Sequence, residues 1–473
     1  MAAGKRKLLP PTDSMFLLVE TPRTMMHVAA LMPFTPPDGA DSSYLRDLVY
    51  RLRAQEPVAP FTKRLSHPQL LSHPLQSWVD DDEFDIEYHV RRSALASPGD
   101  DRELGILVSR LHSHQLDMTR PLWECHVIEG LEEGRFAVYA KIHHSLMDGF
   151  SSVKLLARSL AKSPDAAEGL PFWASPPPPR PEPPKEAISL AKQVGSSVAG
   201  VAKAARDTVG AVGDVTKAVL KLETGIGASE VVSSREAPRT IFNAQTGRNR
   251  RLATQHWETE RLRAIGKHTK STLNDVMLAV FGSGLRRYLL EFDELPAEPL
   301  VAFVPLNIRA DGDQGGGNLV AATLVSLATD IADPLEQLTG VRRSTRAAKK
   351  QVKTMGQASA IAYTGYLFAP AAFQTFTAMA GVKNPLPTTF NLCISNLAGP
   401  TKPLYLAGSR LEAIFPLSIP AHGFALNITV ESYAGWMNVG FVGDRDAVPH
   451  LQRLAVYCGE ALAELEEAIG AEG

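Results

Sequence analysis

The stretch AKIHHSLMDGFSS, residues 140–152, carries two adjacent histidines, His143 and His144, followed closely by Asp148 and Gly149. Imidazole is the side chain whose ordinary pKa lets it take and return a proton near neutrality, so acid–base chemistry would be centred here. Metal binding is the competing use. Ligands to one metal are spaced by two on a strand and by three or four on a helix, and neighbours on a strand point to opposite faces, so this pair does not close on one ion. The same alternation divides the work: one histidine faces a site and the other packs or hydrogen-bonds beneath it. His144 is assigned to the site, because the residues after it build a tight exit, and His143 is assigned to support. Asp148 can accept backbone N–H groups or cap a helix starting near Gly149, where glycine permits angles other residues resist. Asp148 therefore orients and transfers no proton.

These residues need a strand and a helix to hold them. RFAVYAKIHH (135–144) alternates and is rich in β-formers, whereas VKLLARSLAKS (153–163) has helical spacing, so the motif joins strand to helix. LGILVSRLHSHQL (104–116) is also helical. STLNDVMLAVFGSGLRRYLLE (271–291) reads as a helix capped by Ser271 or Thr272, and LVAFVPLNI (300–308) and NLVAATLVSLAT (318–329) as buried strands. DPLEQLTGVRRSTRAAKKQV is a helix, FALNITVES with MNVGFVGD a hairpin, and VPHLQRLAVYCGEALAELEEAI a closing amphipathic helix. Both halves mix helix and sheet, which defines an α/β class.

A chain of 473 residues exceeds what one core usually organises. The proline run SPPPPRPEPPKE (175–186) marks a spacer, giving an N-terminal domain over 1–165, a linker over 166–245 and a C-terminal domain over 246–473. The Ala/Val/Lys-rich segment 187–223 suits an interrupted helix draped over the surface or partly disordered, with a membrane-surface role as the alternative, through Lys192, Lys203, Arg206, Lys217 and Lys221. A net charge of -2 gives no reason to expect nucleic acid. Cys125, Cys393 and Cys458 form neither a disulfide framework nor a zinc cage, which fits a reducing cytoplasm. Pro10, Pro11 and Asp13 break the apolar run a signal peptide needs. Residues 354–382 carry no charge, but recurrent Thr, Gln and Ser and a central Pro370 point to buried or channel-lining helices instead of a membrane span.

Further segments join the histidine motif: PTDSMFLLVETPRTMMHVAAL near the start, FDIEYHVRRSALASPG (84–99), Pro121-Leu122-Trp123, Asn274-Asp275, and ISNLAGP (394–400). In this order the sequence resembles the bacterial wax ester synthase/diacylglycerol acyltransferase family, within the HHxxxDG coenzyme A-dependent acyltransferases. The resemblance covers nearly the whole chain apart from the linker. It implies two chloramphenicol-acetyltransferase-like domains with a tunnel between them. It also implies transfer of a fatty acyl group from acyl-CoA, as co-substrate and without a metal or other cofactor, to a long-chain alcohol or a diacylglycerol. His144 is the general base and acid, Asn274 a candidate oxyanion donor, and Trp123 and Asp275 candidate substrate contacts. With no G-x-S-x-G elbow and no cysteine in a nucleophile motif, direct transfer without an acyl-enzyme is expected. A water-insoluble acceptor implies peripheral work at the inner membrane or a lipid inclusion. Leu397 and Ala398 replace the family's usual Val-Pro, and Met25 and Ala29 its Pro and Gly, departures that bear on substrate preference. The alternatives are a condensation domain acting on carrier-bound thioesters and a non-catalytic lipid-binding protein; neither oligomeric state nor preferred acceptor is legible.

Overall fold

The computed structural model describes residues 7–73, 75–165, 169–176, 232, 237–307, 320–355, 357–379 and 388–471. Its strands in the first half are β1 (Lys7–Leu8), β2 (His27–Thr35), β3 (Lys63–Leu65), β4 (Ser77–Asp80), β5 (Val90–Ala94), β6 (Trp123–Glu129) and β7 (Phe136–His143). Those in the second are β8 (Arg250–Glu258), β9 (Val301–Asn307), β10 (Val320–Ser326), β11 (Leu392–Ala398), β12 (Tyr405–Leu406), β13 (Ser409–Leu411), β14 (Phe415–Leu417), β15 (Leu426–Tyr433) and β16 (Trp436–Asp444).

Alternation shapes the strand that leads to the histidines. In β7, Phe136, Val138, Ala140 and Ile142 enter one apolar cluster and Ala137 and Tyr139 another, so both faces are covered. Its sheet runs β12–β13–β2–β7–β6–β5, with β14 also pairing β2, and all neighbours are antiparallel except β5 and β6. The second sheet runs β10–β9–β11–β15–β16–β8, with β9, β11 and β15 parallel. β1, β4 and β3 form a small third sheet. The predicted hairpin is β15 and β16, paired antiparallel from Leu426↔Gly443 to Tyr433↔Trp436.

Residues 405–417 add strands to the first-half sheet, a crossing that division by chain position did not include. β14 then passes close over β16. A Cβ on Gly440 would lie 1.8 Å from the carbonyl oxygen of Pro416, so only glycine admits this approach. The two sheets are thereby joined beside the site.

Helices flank both sheets. Asp101–His112 begins at the cap of Asp100, and Leu273–Glu291 begins at a capping box in which Thr272 and Asp275 serve each other's backbone N–H. Gln357–Met379 falls within the uncharged stretch; Tyr363 and Leu367 are buried, and Phe368 and Thr375 line the cavity described below. Among the described residues no helix is long and apolar enough to cross a membrane. The surface-helix reading of 187–223 and the proline run from 177 onward lie outside the described residues.

Candidate active site

A cavity of about 570 Å³ lies against β2, β7 and the helix Gly149–Ser159 on one side and β11, β15 and the segment 414–424 on the other. β7 ends at His143, and the alternation continues past it: Ala140, Ile142 and His144 line the cavity, while Tyr139, Lys141 and His143 point away. The pair is split between two faces, as strand geometry requires.

His143 is fully buried and engaged. Its Nδ1 accepts the Ser145 backbone N–H at 3.1 Å and lies 2.7 Å from Ser145 Oγ, which leaves the ring proton on Nε2, 3.4 Å from Glu20 Oε2. Glu20 Oε2 also accepts the Met26 N–H at 2.5 Å, and its Oε1 accepts the Gln115 amide at 2.6 Å. The Met26 carbonyl in turn accepts the backbone N–H of His144 at 2.8 Å. One carboxylate therefore holds both the supporting ring and Met26, the residue before β2 against which His144 is fixed. Next to this network, Lys141 Nζ lies 3.2 Å from Glu124 Oε2, and Tyr139 Oη 2.9 Å from His112 Nδ1.

His144 is placed differently. Phe16 stacks on its ring at 4.1 Å between centroids, and its Nδ1 is buried without a hydrogen-bond partner among the described residues. Burial lowers its pKa to about 4, opposed by the charge of Asp148 and assisted by that of His143. The imidazole is thus neutral at physiological pH and free to accept a proton. Asp148 caps the helix Gly149–Ser159: Oδ1 accepts the Ser151 N–H at 2.8 Å and Oδ2 the Ser151 hydroxyl at 3.0 Å. It acts on His144 through space.

Other expected positions change. Gly149 is an ordinary first helical residue, outside the left-handed region, so backbone freedom is not its role; a Cβ there would come 4.0 Å from Leu397 Cδ1 across the cavity. Trp123 is absent from the wall. It is fully buried between His89 and Trp173, and its Nε1 donates to the Phe61 carbonyl at 2.8 Å. Asp275 serves the helix cap and accepts the Thr345 hydroxyl at 2.5 Å, which makes it an internal tie with no cavity face. Asn274, second residue of the same helix, is also not among the lining residues. Of the departures from the family pattern, Ala29 and Leu397 line the cavity and Met25 and Ala398 do not.

Leu397 apart, the second-half wall carries residues to which the sequence assigned no role in a site. In the parallel register of β11 and β15, Cys393 stands beside Asn427, Ser395 beside Thr429 and Leu397 beside Glu431, and all six line the cavity. Burial pushes the Cys393 thiol up to about 11, so it is protonated and a poor nucleophile. Phe16, Glu20 and Met26 were also missed, although they lie in the opening segment quoted for the resemblance.

Known structures give the class first. The first condensation domain of the calcium-dependent antibiotic synthetase aligns over 99% of this chain and 97% of its own at a TM-score of 0.56 and 14% identity, which establishes a shared two-domain fold. The wax ester synthase/diacylglycerol acyltransferase from Marinobacter aquaeolei VT8 aligns over 98% of this chain and all of its own, with TM-score 0.78 and 36% identity. The models of the wax ester synthase/diacylglycerol acyltransferase catalytic domain and of the WS/DGAT C-terminal domain match residues 9–277 and 316–466. A Mycobacterium tuberculosis H37Rv protein named as a diacylglycerol O-acyltransferase is 50% identical over 98% of both chains. The chain belongs to the wax ester synthase/diacylglycerol acyltransferase family.

Proposed function

We propose that the protein moves a long-chain fatty acyl group from coenzyme A to the hydroxyl of a diacylglycerol or a long-chain alcohol, with His144 as the base. The observation that carries this reading is a neutral, strand-anchored imidazole on the wall of a largely apolar cavity that both halves build. With Nδ1 sealed off, Nε2 takes the hydroxyl proton as the oxygen attacks the thioester carbon; the C–S bond then breaks, and the same nitrogen returns the proton to the departing thiolate. Such general-base assistance is worth roughly 10²- to 10⁴-fold. No acyl-enzyme is needed, and the protonated state of Cys393 agrees with direct transfer.

The apolar lining serves a second end, since water admitted to the thioester would compete with the acceptor. Acyl-CoA is a co-substrate in this scheme, and the chemistry asks for no other cofactor. Met15 both lines the cavity and is 61% exposed, and Leu18 and Phe373 are exposed on helices that contribute to the wall. These side chains suit peripheral contact with a membrane or lipid inclusion, from which an insoluble acceptor could enter.

The test is to incubate the purified chain with palmitoyl-CoA plus hexadecanol or dioleoylglycerol and to follow neutral lipid and free thiol together. Ester formed in step with thiol is expected. Thiol released without ester would identify a thioesterase and overturn the proposal.

A further inference from the structure

Glu431 is the outlier of the cavity wall. It is 1% exposed, and no hydrogen bond or ion pair reaches its carboxyl from the described residues; Oε1 in particular is buried without a partner. It lies close to Gly399, where an added Cβ would come 2.3 Å from the Ser432 carbonyl oxygen and 2.9 Å from Oε1. Its cross-strand neighbour on β16 is Asn438, which in an antiparallel pair projects from the same face. Asn438 is also fully buried, and neither its amide oxygen nor its nitrogen has a partner among the described residues.

Buried polar groups are almost always satisfied, so two adjacent unsatisfied side chains need an explanation. The first-half wall shows that this fold can satisfy buried charge, as it does for Glu20 and Glu124. A carboxyl left alone in an apolar setting stays protonated, because charging it there is costly, and burial raises this one to about 8. A protonated carboxyl is a hydrogen-bond donor, and what it lacks is an acceptor.

Position narrows the acceptor. Glu431 pairs in register with Leu397, whose Cδ1 faces the start of the motif helix at Gly149. Glu431 therefore stands in the same cavity as His144, on the wall opposite the motif helix, where the rest of an acceptor bound at His144 can reach it. A long-chain alcohol has no second oxygen to place there. A diacylglycerol does: its ester carbonyls are acceptors a few bonds from the free hydroxyl. We propose that the carboxyl O–H of Glu431 donates to an ester carbonyl of a bound diacylglycerol, making it the residue that favours a glyceride over a simple alcohol as acyl acceptor. The inference rests on the acyl-transfer reading above and deepens it.

The test compares wild type, Glu431→Leu and Glu431→Gln, each with palmitoyl-CoA and either dioleoylglycerol or hexadecanol in identical mixed micelles. Glu431→Leu removes the donor and keeps apolar bulk; Glu431→Gln keeps an N–H donor. The expected result is at least a tenfold loss of kcat/KM for dioleoylglycerol in Glu431→Leu, hexadecanol transfer within about threefold of wild type, and substantial recovery of diacylglycerol transfer in Glu431→Gln. Equal losses with both acceptors in Glu431→Leu would place the contact on the thioester or in the fold and overturn the assignment. No loss with either would overturn it too. Hexadecanol turnover by the same preparation reports folding. If wild type transfers to neither acceptor, the acyl-transfer reading itself has failed, an outcome separate from the other two.

Discussion

The two walls of the cavity differ in how their central ionisable group is supported. Behind the first-half wall, Glu20, His143, Ser145 and Lys141 all have partners, and the one cavity-facing histidine stands on top of them. The second-half wall presents its polar side chains toward the cavity in register, and Glu431 among them has no partner among the described residues. A base whose backbone N–H and neighbouring histidine are tied through Glu20 is held in place before substrate arrives, which limits reorganisation at the moment of proton transfer. Groups left open on the other wall can be satisfied only by what enters. On the proposed reading, the first wall carries the chemistry and the second the recognition.

The largest effect should come from the first wall. His144→Ala is expected to lower kcat/KM by about 10²- to 10⁴-fold, with circular dichroism and Tm close to wild type because the ring makes no side-chain hydrogen bond among the described residues. A folded variant that keeps more than a tenth of the activity would place the base elsewhere. Glu20→Ala comes next. It strips partners from the Met26 N–H, the Gln115 amide and His143, and so loosens the strand that holds His144. Small displacements of catalytic groups cost up to about 10²-fold, so a ten- to hundredfold fall in kcat with little change in KM is expected. Glu20→Gln, which retains an acceptor oxygen, should lie in between. An unchanged kcat in Glu20→Ala would break the claim that the layer beneath the wall supports the base.

The first wall was the more legible in sequence, for a physical reason. The division of labour between His143 and His144 follows from the period of a strand, and the Asp148 cap from the chemistry of a helix start; both are local rules. Glu20 and Phe16 lie more than a hundred residues away and reach the site only because β2 pairs with β7, which no local pattern announces. Trp123 and Asp275 were placed at the site by motif order, which carries no distance information. The Thr272–Asp275 capping box could have been read locally as the structural role of Asp275. Glu431 was hidden for another reason. In LNITVES, polar Asn427, Thr429 and Glu431 alternate with apolar Ile428 and Val430, the pattern of a half-solvated strand. Its polar face is buried against the segment 414–424, which crosses to the first-half sheet through β14, a fact of assembly that alternation cannot express.

A subtler effect separates burial from charge at His144. Phe16 covers one face of the ring, and burial is the largest cause of its lowered pKa. Phe16→Ala should admit water and raise that pKa from about 4 toward 6.5. Because the base works in its neutral form, the acid limb of the kcat/KM profile should move up by about one pH unit. Activity at pH 8 should fall only a few-fold. An acid limb that stays in place would mean that Phe16 contributes contact without desolvation.

The smallest expected effect is on stability, and it sets the two walls against each other most directly. His144 and His112 have folded pKa values lowered to about 4 and about 3, and His27 is also lowered, so between pH 6.5 and those values the unfolded chain binds protons that the folded chain refuses. Stability from this wall is complete above pH 6.5 and is lost as pH falls. Buried His89 and His422, both lowered to about 4, add to the same acid loss. Glu431 runs the other way. Its folded pKa is raised from 4.5 to about 8, so the folded chain holds a proton that the unfolded chain gives up, and its contribution is complete below pH 4.5 and lost as pH rises toward 8. Glu431→Gln removes this loss without touching the histidines. The Tm of the variant relative to wild type should therefore climb by a few degrees from pH 5 to pH 8.5, while both proteins keep the same acid-side decline. A difference in Tm that does not vary with pH would mean that Glu431 is already charged, and the contrast between a satisfied wall and an open one would fail at its most exposed point.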